Sequence, residues 1–398
     1  MKEKPVKIFV LLSRIPWPLE KGDKLRAFHQ IKSLSKSTEI VLCALNTDPN
    51  ADKQKAFRAL QPYCQSVSFI DLPKSAILWN VFRAWITGKP LQVGFFFSKK
   101  AQRKINSLLH IHKPDLIYGQ LLRVAEYIHH QNIPKVLDYQ DVFSMGMKRR
   151  MLLASWPNKY FFQSEYKRLL KYESFVFDAF DLKTIISFPD RELIPHPLKE
   201  QIIVVPNGVD HDFFKPYPAE KEYDILFTGN MAYPPNVNAA LFLCEQIMPI
   251  VWKSYPHAKV LLAGATPDKQ VAKLASKKVK VSGWLDDIRQ AYASSRIFVA
   301  PMQIGTGLQN KLLEAMSMRL PCITTPLANE PLKAENGKHI LVSETAAGLA
   351  ENIIALLNAH DLGQQIAENG YQFVHQHYNW DASCEKMLHA MKEILPVK

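Results

Sequence analysis

One stretch restricts the possible folds more than any other: residues 297–326, IFVAPMQIGTGLQNKLLEAMSMRLPCITTP. Its apolar opening, 297–300, closed by Pro301, reads as a buried strand. Gly305 and Gly307 follow. From Leu308 onward, Leu312, Ala315 and Met316 recur at helical spacing, and the pattern stops before Pro321. Residues 322–325 read as the next strand. The result is a strand–glycine loop–helix–strand unit. The N-terminus of such a helix carries backbone N–H groups without helical partners, and glycines let an anion approach them. Lys311 adds positive charge in the first turn. Glu314 lies one turn further on, where a carboxylate can hold sugar or ribose hydroxyls. By pattern alone the stretch is also an ordinary βαβ unit with an incidental lysine and glutamate, because glycine loops before helices are common.

A chain of 398 residues is too long for one core and suits two domains of about 200 residues. The five cysteines (Cys43, Cys64, Cys244, Cys322, Cys384) are scattered and form no CxxC pair. They read as small buried hydrophobes in a reducing compartment. Neither Cys nor His shows metal-ligand spacing, so no metal is expected. The apolar run 8–12 is too short for a signal peptide and reads as the first strand. No run approaches the roughly 20 apolar residues of a membrane span. Charge is uneven: residues 1–200 hold 32 Lys/Arg against 18 Asp/Glu, and residues 201–398 hold 18 against 19. A basic first half attracts anionic surfaces, lipid headgroups or phosphate esters among them. It is also compatible with a solvated face that has no partner.

Taken in order, residues 7–12 form a strand and 25–34 a helix, with the loop 13–24 between them. This is the usual opening of a doubly wound domain, in which ligands sit at the carboxyl ends of strands. Strands are expected at 39–45, 67–70, 115–118, 135–138, 182–187 and 202–205. Residues 76–113 read as helical, aromatic and basic, which suits a membrane interface or a core helix with a wet face. A long helix in two pieces is expected over 147–180, broken around Pro157. In the second half, strands are expected at 224–228, 260–263 and 279–282, and a last helix at 382–394. Asp286 and Asp287 also suit the N-terminus of a helix on charge grounds alone.

Four ordered blocks resemble one family. Leu313-Glu314-Ala315-Met316 followed by Leu320-Pro321-Cys322-Ile323-Thr324-Thr325, the opening RIPWPLEKGDKLR, the PNGVD of 206–210 and the FTGNMAYPPNV of 227–237 are similar to motifs of the GT4 glycosyltransferases. The likeness is strongest to a branch associated with exosortase and exopolysaccharide genes. The resemblance implies an α/β GT-B fold, with two Rossmann-like doubly wound parallel-sheet domains facing a central cleft. Residues 1–200 would form the acceptor domain and 201–380 the nucleotide-sugar domain, with 381–398 crossing back to the first. It also implies retaining transfer of a sugar from a nucleotide-diphosphate sugar to a saccharide or lipid-linked acceptor. No cofactor and no nucleic acid are implied.

Residue by residue, Glu314 matches the glutamate that binds the ribose. The family's first glutamate falls at Thr306, so the chain departs there. Gly229, Asn230, Gly283, Trp284, Thr306, Gly307, Leu308, Asn310, Lys311 and Glu314 are the expected donor contacts. Gly22, Asp23, Lys24 and Arg26 are the expected acceptor contacts. Lys311 and Asp141 are the catalytic candidates; Asp138 or Asp141 could touch an acceptor hydroxyl, and Asp141 equally suits a helix cap. Most relatives carry Arg and Lys in the loop after Thr228; this chain has neither between Thr228 and Phe242. Lys311 and the backbone N–H groups of Gly307 and Leu308 are the nearest replacements for the diphosphate. A cytoplasmic protein, peripheral on the inner membrane face, is the expected setting. The missing glutamate and loop cations leave a non-catalytic nucleotide-sugar or polyanion binding protein as the alternative.

Overall fold

The computed structural model describes residues 5–396 except Thr306. The chain divides into two compact units, Met1–Pro206 with Asp381–Lys398, and Asn207–Trp380.

In the first unit the strands are β1 (Lys7–Leu12), β2 (Glu39–Asn46), β3 (Ser66–Asp71), β4 (Leu116–Gln120), β5 (Lys135–Asp138), β6 (Leu182–Ile185) and β7 (Ile203–Val204). They form one parallel sheet in the order β3-β2-β1-β4-β5-β6-β7. The run after Lys7 is thus a central strand, paired with β2 on one side and β4 on the other. A parallel sheet is covered on both faces, and its central strand β1 is accordingly apolar and buried from Ile8 to Leu12. Side chains still alternate between the faces. Phe9 and Leu11 enter one core with Val41, Ile105 and Phe177, while Ile8, Val10 and Leu12 enter the other with Ile31, Leu42 and Tyr118. The second core also holds Cys384, Met387 and Met391 of the Trp380–Glu393 helix, which is therefore built into this unit.

The second unit repeats the plan with β8 (Tyr223–Thr228), β9 (Val260–Ala263), β10 (Val279–Gly283), β11 (Ser295–Ala300), β12 (Cys322–Thr324) and β13 (Leu341–Val342). Its parallel order is β10-β9-β8-β11-β12-β13. In both sheets the order reverses beside the first strand, between β1 and β4 and between β8 and β11. Such switch points leave a crevice at the carboxyl ends of the strands, where α/β sheets hold ligands.

Three expected elements differ. The helical region over 76–113 is three helices, Lys74–Ile86, Leu91–Phe96 and Lys99–His112. Gly88 at φ +72° and Pro90 end the first, and Ser98 caps the third by accepting from the Ala101 N–H at 3.5 Å. The helix expected from Met147 already starts at Phe143. The helix expected from Leu308 starts at Asn310, because Gly305 and Gly307 adopt φ +97° and +96° and hold the chain out of helical geometry.

Candidate functional site

At the second switch point, β8 ends at Thr228 and delivers Gly229, and β11 ends at Ala300 and delivers the loop to the Asn310–Ser317 helix. Gly229 has no room for a side chain. A Cβ there would stand 2.6 Å from Asn236 Nδ2 and 3.1 Å from Lys311 Nζ. One at Gly264, after β9, would stand 1.8 Å from the Gly229 carbonyl oxygen. Gly264 therefore lets the two exits approach backbone to backbone, while Gly229 leaves room for the Asn236 and Lys311 side chains.

Lys311 occupies the floor of this exit. Its ammonium donates to Asn236 Oδ1 at 2.5 Å and lies 4.5 Å from the centre of the Phe227 ring. Asn236 in turn donates to the Asn230 carbonyl at 2.9 Å. The loop after Thr228 has no cation of its own, yet Lys311 brings one to it from the next crossover. Burial lowers the Lys311 ammonium to about 7, and Glu314 opposes the shift. Both side chains keep some open surface, and water reaching them moderates the effect.

Glu314 follows Lys311 by three positions, on the same face of the helix. Tyr292, fully buried, donates its hydroxyl to Glu314 Oε2 at 2.7 Å, and the Thr228 hydroxyl meets Tyr292 at 2.8 Å. One carboxylate oxygen is thus fixed. Burial raises the Glu314 carboxyl, while Tyr292 and Lys311 pull it back. Asn310 accepts from Asn207 at 3.0 Å and so ties the helix start to the segment after β7. Gln309 provides no side-chain cap to this helix. Gly283 ends β10 at φ +68°, and Trp284 beyond it is exposed, its indole N–H donating to Asp286 at 3.2 Å.

Of the expected donor contacts, the structure gathers Gly229, Asn230, Lys311 and Glu314 around one strand exit. Gly307 and Leu308 precede the helix, so their N–H groups are loop groups. Gly283 and Trp284 stand two strands away, at the exit of β10, and Thr306 lies outside the described residues. Tyr292 joins the site with no motif to mark it, and Asn236 and Phe227 of the 227–237 block contribute through Lys311. A tyrosine within an apolar stretch reads as core, and only its partner Glu314 betrays it.

In the first unit, Asp23 accepts from Arg14 Nη1 at 2.9 Å, and Arg123 Nη1 lies 3.9 Å away. Lys24 pairs with Glu20 at 3.0 Å, and Gly22 opens the Gly22–Leu34 helix. Arg123 follows β4 and lies between the Phe96 and Phe143 rings, 5.1 and 5.0 Å from their centres. Burial lowers its guanidinium to about 10, with Arg14 adding to the effect and Asp23 and Asp141 opposing it. Arg123 had no sequence signal, being a lone cation in an apolar run.

Arg26 requires correction as an acceptor contact. It is fully buried in the first unit, donating to Asp138 at 2.6 and 3.1 Å and to the Val205 carbonyl at 2.9 Å. Asp138 is likewise fully buried and also accepts from Thr184 at 3.0 Å, with the Tyr118 hydroxyl 2.9 Å away. Neither group can touch a ligand; the pair clamps β4, β5 and β6 to the end of β7. Asp141 is exposed and accepts from the Val142 N–H at 2.7 Å. It is not the helix cap, since Val142 holds that place. Among the described residues no group of three or more His, Cys, Asp or Glu side chains is placed to hold a metal ion.

Residues 222–359 match the family described as glycosyl transferases group 1. The matched stretch lies within the second unit. The group 1 resemblance read from the sequence motifs is borne out, and glycosyl transfer is the activity class the family carries. Over the whole chain, the two units share the fold of solved glycosyltransferase structures. Sucrose-phosphate synthase from Thermosynechococcus elongatus aligns at TM-score 0.71 and 14% identity, covering 98% of this chain and 99% of that one. HepE from Anabaena, solved in complex with UDP-glucose, aligns at TM-score 0.69 and 14% identity, covering 97% and 100%. An uncharacterised 44.6 kDa protein in the cps region of Klebsiella pneumoniae is 20% identical over 415 residues, covering 94% of this chain and 96% of that one. The expected pair of Rossmann-like GT-B domains is therefore the fold of this chain.

Proposed function

We propose that the chain is a retaining glycosyltransferase. In this reading the second unit binds a nucleotide-diphosphate sugar at the exits of β8 and β11, and the first unit presents a saccharide or lipid-linked acceptor. The observation that carries the reading is the Lys311–Glu314 pair, held by Asn236 and Tyr292 at the switch point. Glu314 has one oxygen fixed and can accept from ribose hydroxyls with the other. Lys311 is positioned to meet the diphosphate, with the start of the Asn310–Ser317 helix beside it. HepE in complex with UDP-glucose supports a donor of this class, and the cps-region relative supports a role in surface polysaccharide synthesis.

In the transfer, the bond between the anomeric carbon and the diphosphate oxygen breaks, and its electron pair stays on the diphosphate. Lys311 stabilises that charge. The acceptor oxygen forms the new bond from the same face, and its proton passes to the departing diphosphate. Retention follows from that geometry and needs no general base from the protein. The protein's share is positioning and charge stabilisation.

The test is a panel of nucleotide sugars offered with candidate saccharide and lipid-linked acceptors, with the anomeric configuration of any product read by NMR. A product with the donor's configuration supports the proposal. An inverted product contradicts retention. Tight nucleotide-sugar binding with no transfer to any acceptor favours a binding protein.

A further inference from the structure

The Lys74–Ile86 helix has two apolar faces. Ile77 and Ala84 are buried in the first unit. The opposite face carries Leu78, Trp79, Phe82, Trp85 and Ile86, which are 74, 65, 49, 59 and 64% exposed. These positions fall at i, i+1, i+4, i+7 and i+8, so they form one ridge along the helix. The rings run in sequence, Trp79 to Phe82 at 5.9 Å and Phe82 to Trp85 at 6.3 Å between centres. A second exposed group, Leu152, Trp156, Tyr160 and Phe161, lies around the turn between the Phe143–Leu153 and Asn158–Ala179 helices. Arg168 of the Asn158–Ala179 helix joins the two places by donating to the Ala84 and Lys89 carbonyls at 3.4 and 3.2 Å. The ridge itself is a continuous row of exposed rings, and exposed apolar surface of this kind marks an interaction site rather than chance.

Charge identifies the partner. Between Asp71 and Asp115 there is no acidic residue, but there are eight Lys/Arg. Between Asp141 and Glu165 there is again none, against four Lys/Arg. Lys74 and Arg83 are exposed on the ridge helix itself. A second copy of the chain would bring the same cations against these, which disfavours self-association. Tryptophan and tyrosine among Lys and Arg instead match the boundary between anionic headgroups and acyl chains. Among the described residues no helix is long and apolar enough to cross a membrane, so the contact would lie in the membrane surface.

We propose that this ridge is a docking surface for an anionic lipid membrane. The inference stands on the first unit alone and does not depend on glycosyl transfer. The experiment uses the full chain with vesicles of phosphatidylglycerol or of phosphatidylcholine, at low and high salt, read by co-sedimentation and by tryptophan emission. Wild type should bind phosphatidylglycerol vesicles at low salt with a blue-shifted emission, and should bind phosphatidylcholine far more weakly. The exposed triple variant Trp79→Ser, Phe82→Ser, Trp85→Ser should lose about tenfold or more in partitioning at either salt. Lys74→Gln with Arg83→Gln should lose roughly tenfold at low salt and little at high salt. The proposal is overturned if wild type ignores phosphatidylglycerol at low salt, if the triple variant binds like wild type, or if both lipids bind equally. It is also overturned if the ridge proves to hold a dimer in lipid-free sedimentation that the triple variant dissociates.

Discussion

The two units use one plan differently. Each is a parallel sheet whose strand order reverses beside its first strand. Each places a cation–carboxylate pair close to that reversal. In the first unit the pair is Arg26–Asp138, fully buried and hydrogen-bonded to β4, β6 and the end of β7. In the second it is Lys311–Glu314, partly open, on one helix face beside a glycine exit. The same chemical types are thus structural in one unit and available to a ligand in the other. Accessibility decides between the roles, and residue type does not. The surfaces diverge as well: the basic excess and the exposed tryptophan ridge lie in the first half, while the second half is close to neutral.

The contrast can be broken by substitution. Arg26→Met leaves Asp138 buried without its counter-charge and should cost about 3–5 kcal/mol of stability in denaturant unfolding. Replacing both partners with apolar residues should recover much of that loss. If Arg26→Met folds as well as wild type, the structural reading of the first pair fails.

Lys311→Met is the opposite case. It removes a cation that burial disfavours, so stability should hold or rise slightly. Turnover should fall by about 10²–10³, the usual loss when a charge-stabilising donor is removed. A higher Michaelis constant with unchanged turnover would mean that Lys311 only binds the donor.

A smaller effect sharpens the same point through pH. Burial holds Lys311 near 7, below an ordinary lysine, so the free protein loses this charge as pH rises through that value. A bound diphosphate favours the ammonium, and binding at higher pH must take up a proton. Donor affinity should be full below about pH 7 and fall above it, by at most about tenfold per pH unit. For stability the sign is opposite. The unfolded chain keeps the proton that the folded one has lost, so this group's contribution rises with pH from about 7 toward the ordinary lysine range. A pH-independent affinity between 6 and 9, read by calorimetry, would show that Lys311 does not meet the phosphates.

Much of this was legible beforehand. The apolar runs at 8–12 and 260–263 coincide with β1 and β9, because buried parallel strands leave a near-continuous apolar signature. Lys311 and Glu314 stood out through a helix-spaced motif beside two glycines. What could not be read was depth. Arg26 lies in a loop-to-helix block that the motif marks for ligands, yet its side chain turns into the sheet toward a carboxylate 112 positions away. Tyr292, Asn236 and Arg123 act through partners far along the chain, and no local spacing announces such contacts. Helix starts slipped by a few residues, at Asn310 because Gly305 and Gly307 hold the chain out of helical geometry, and at Phe143, where Glu173 from far along the chain accepts from the Ser144 N–H at 3.0 Å.

The central claim is that the second unit's switch point is the nucleotide-sugar site. Its most direct test is calorimetric titration of UDP-glucose and other nucleotide sugars into wild type and Glu314→Ala. Loss of the carboxylate contact should weaken the preferred nucleotide sugar by about 1.5–3 kcal/mol while the unfolding transition stays in place. Equal affinity in the two proteins would contradict the assignment.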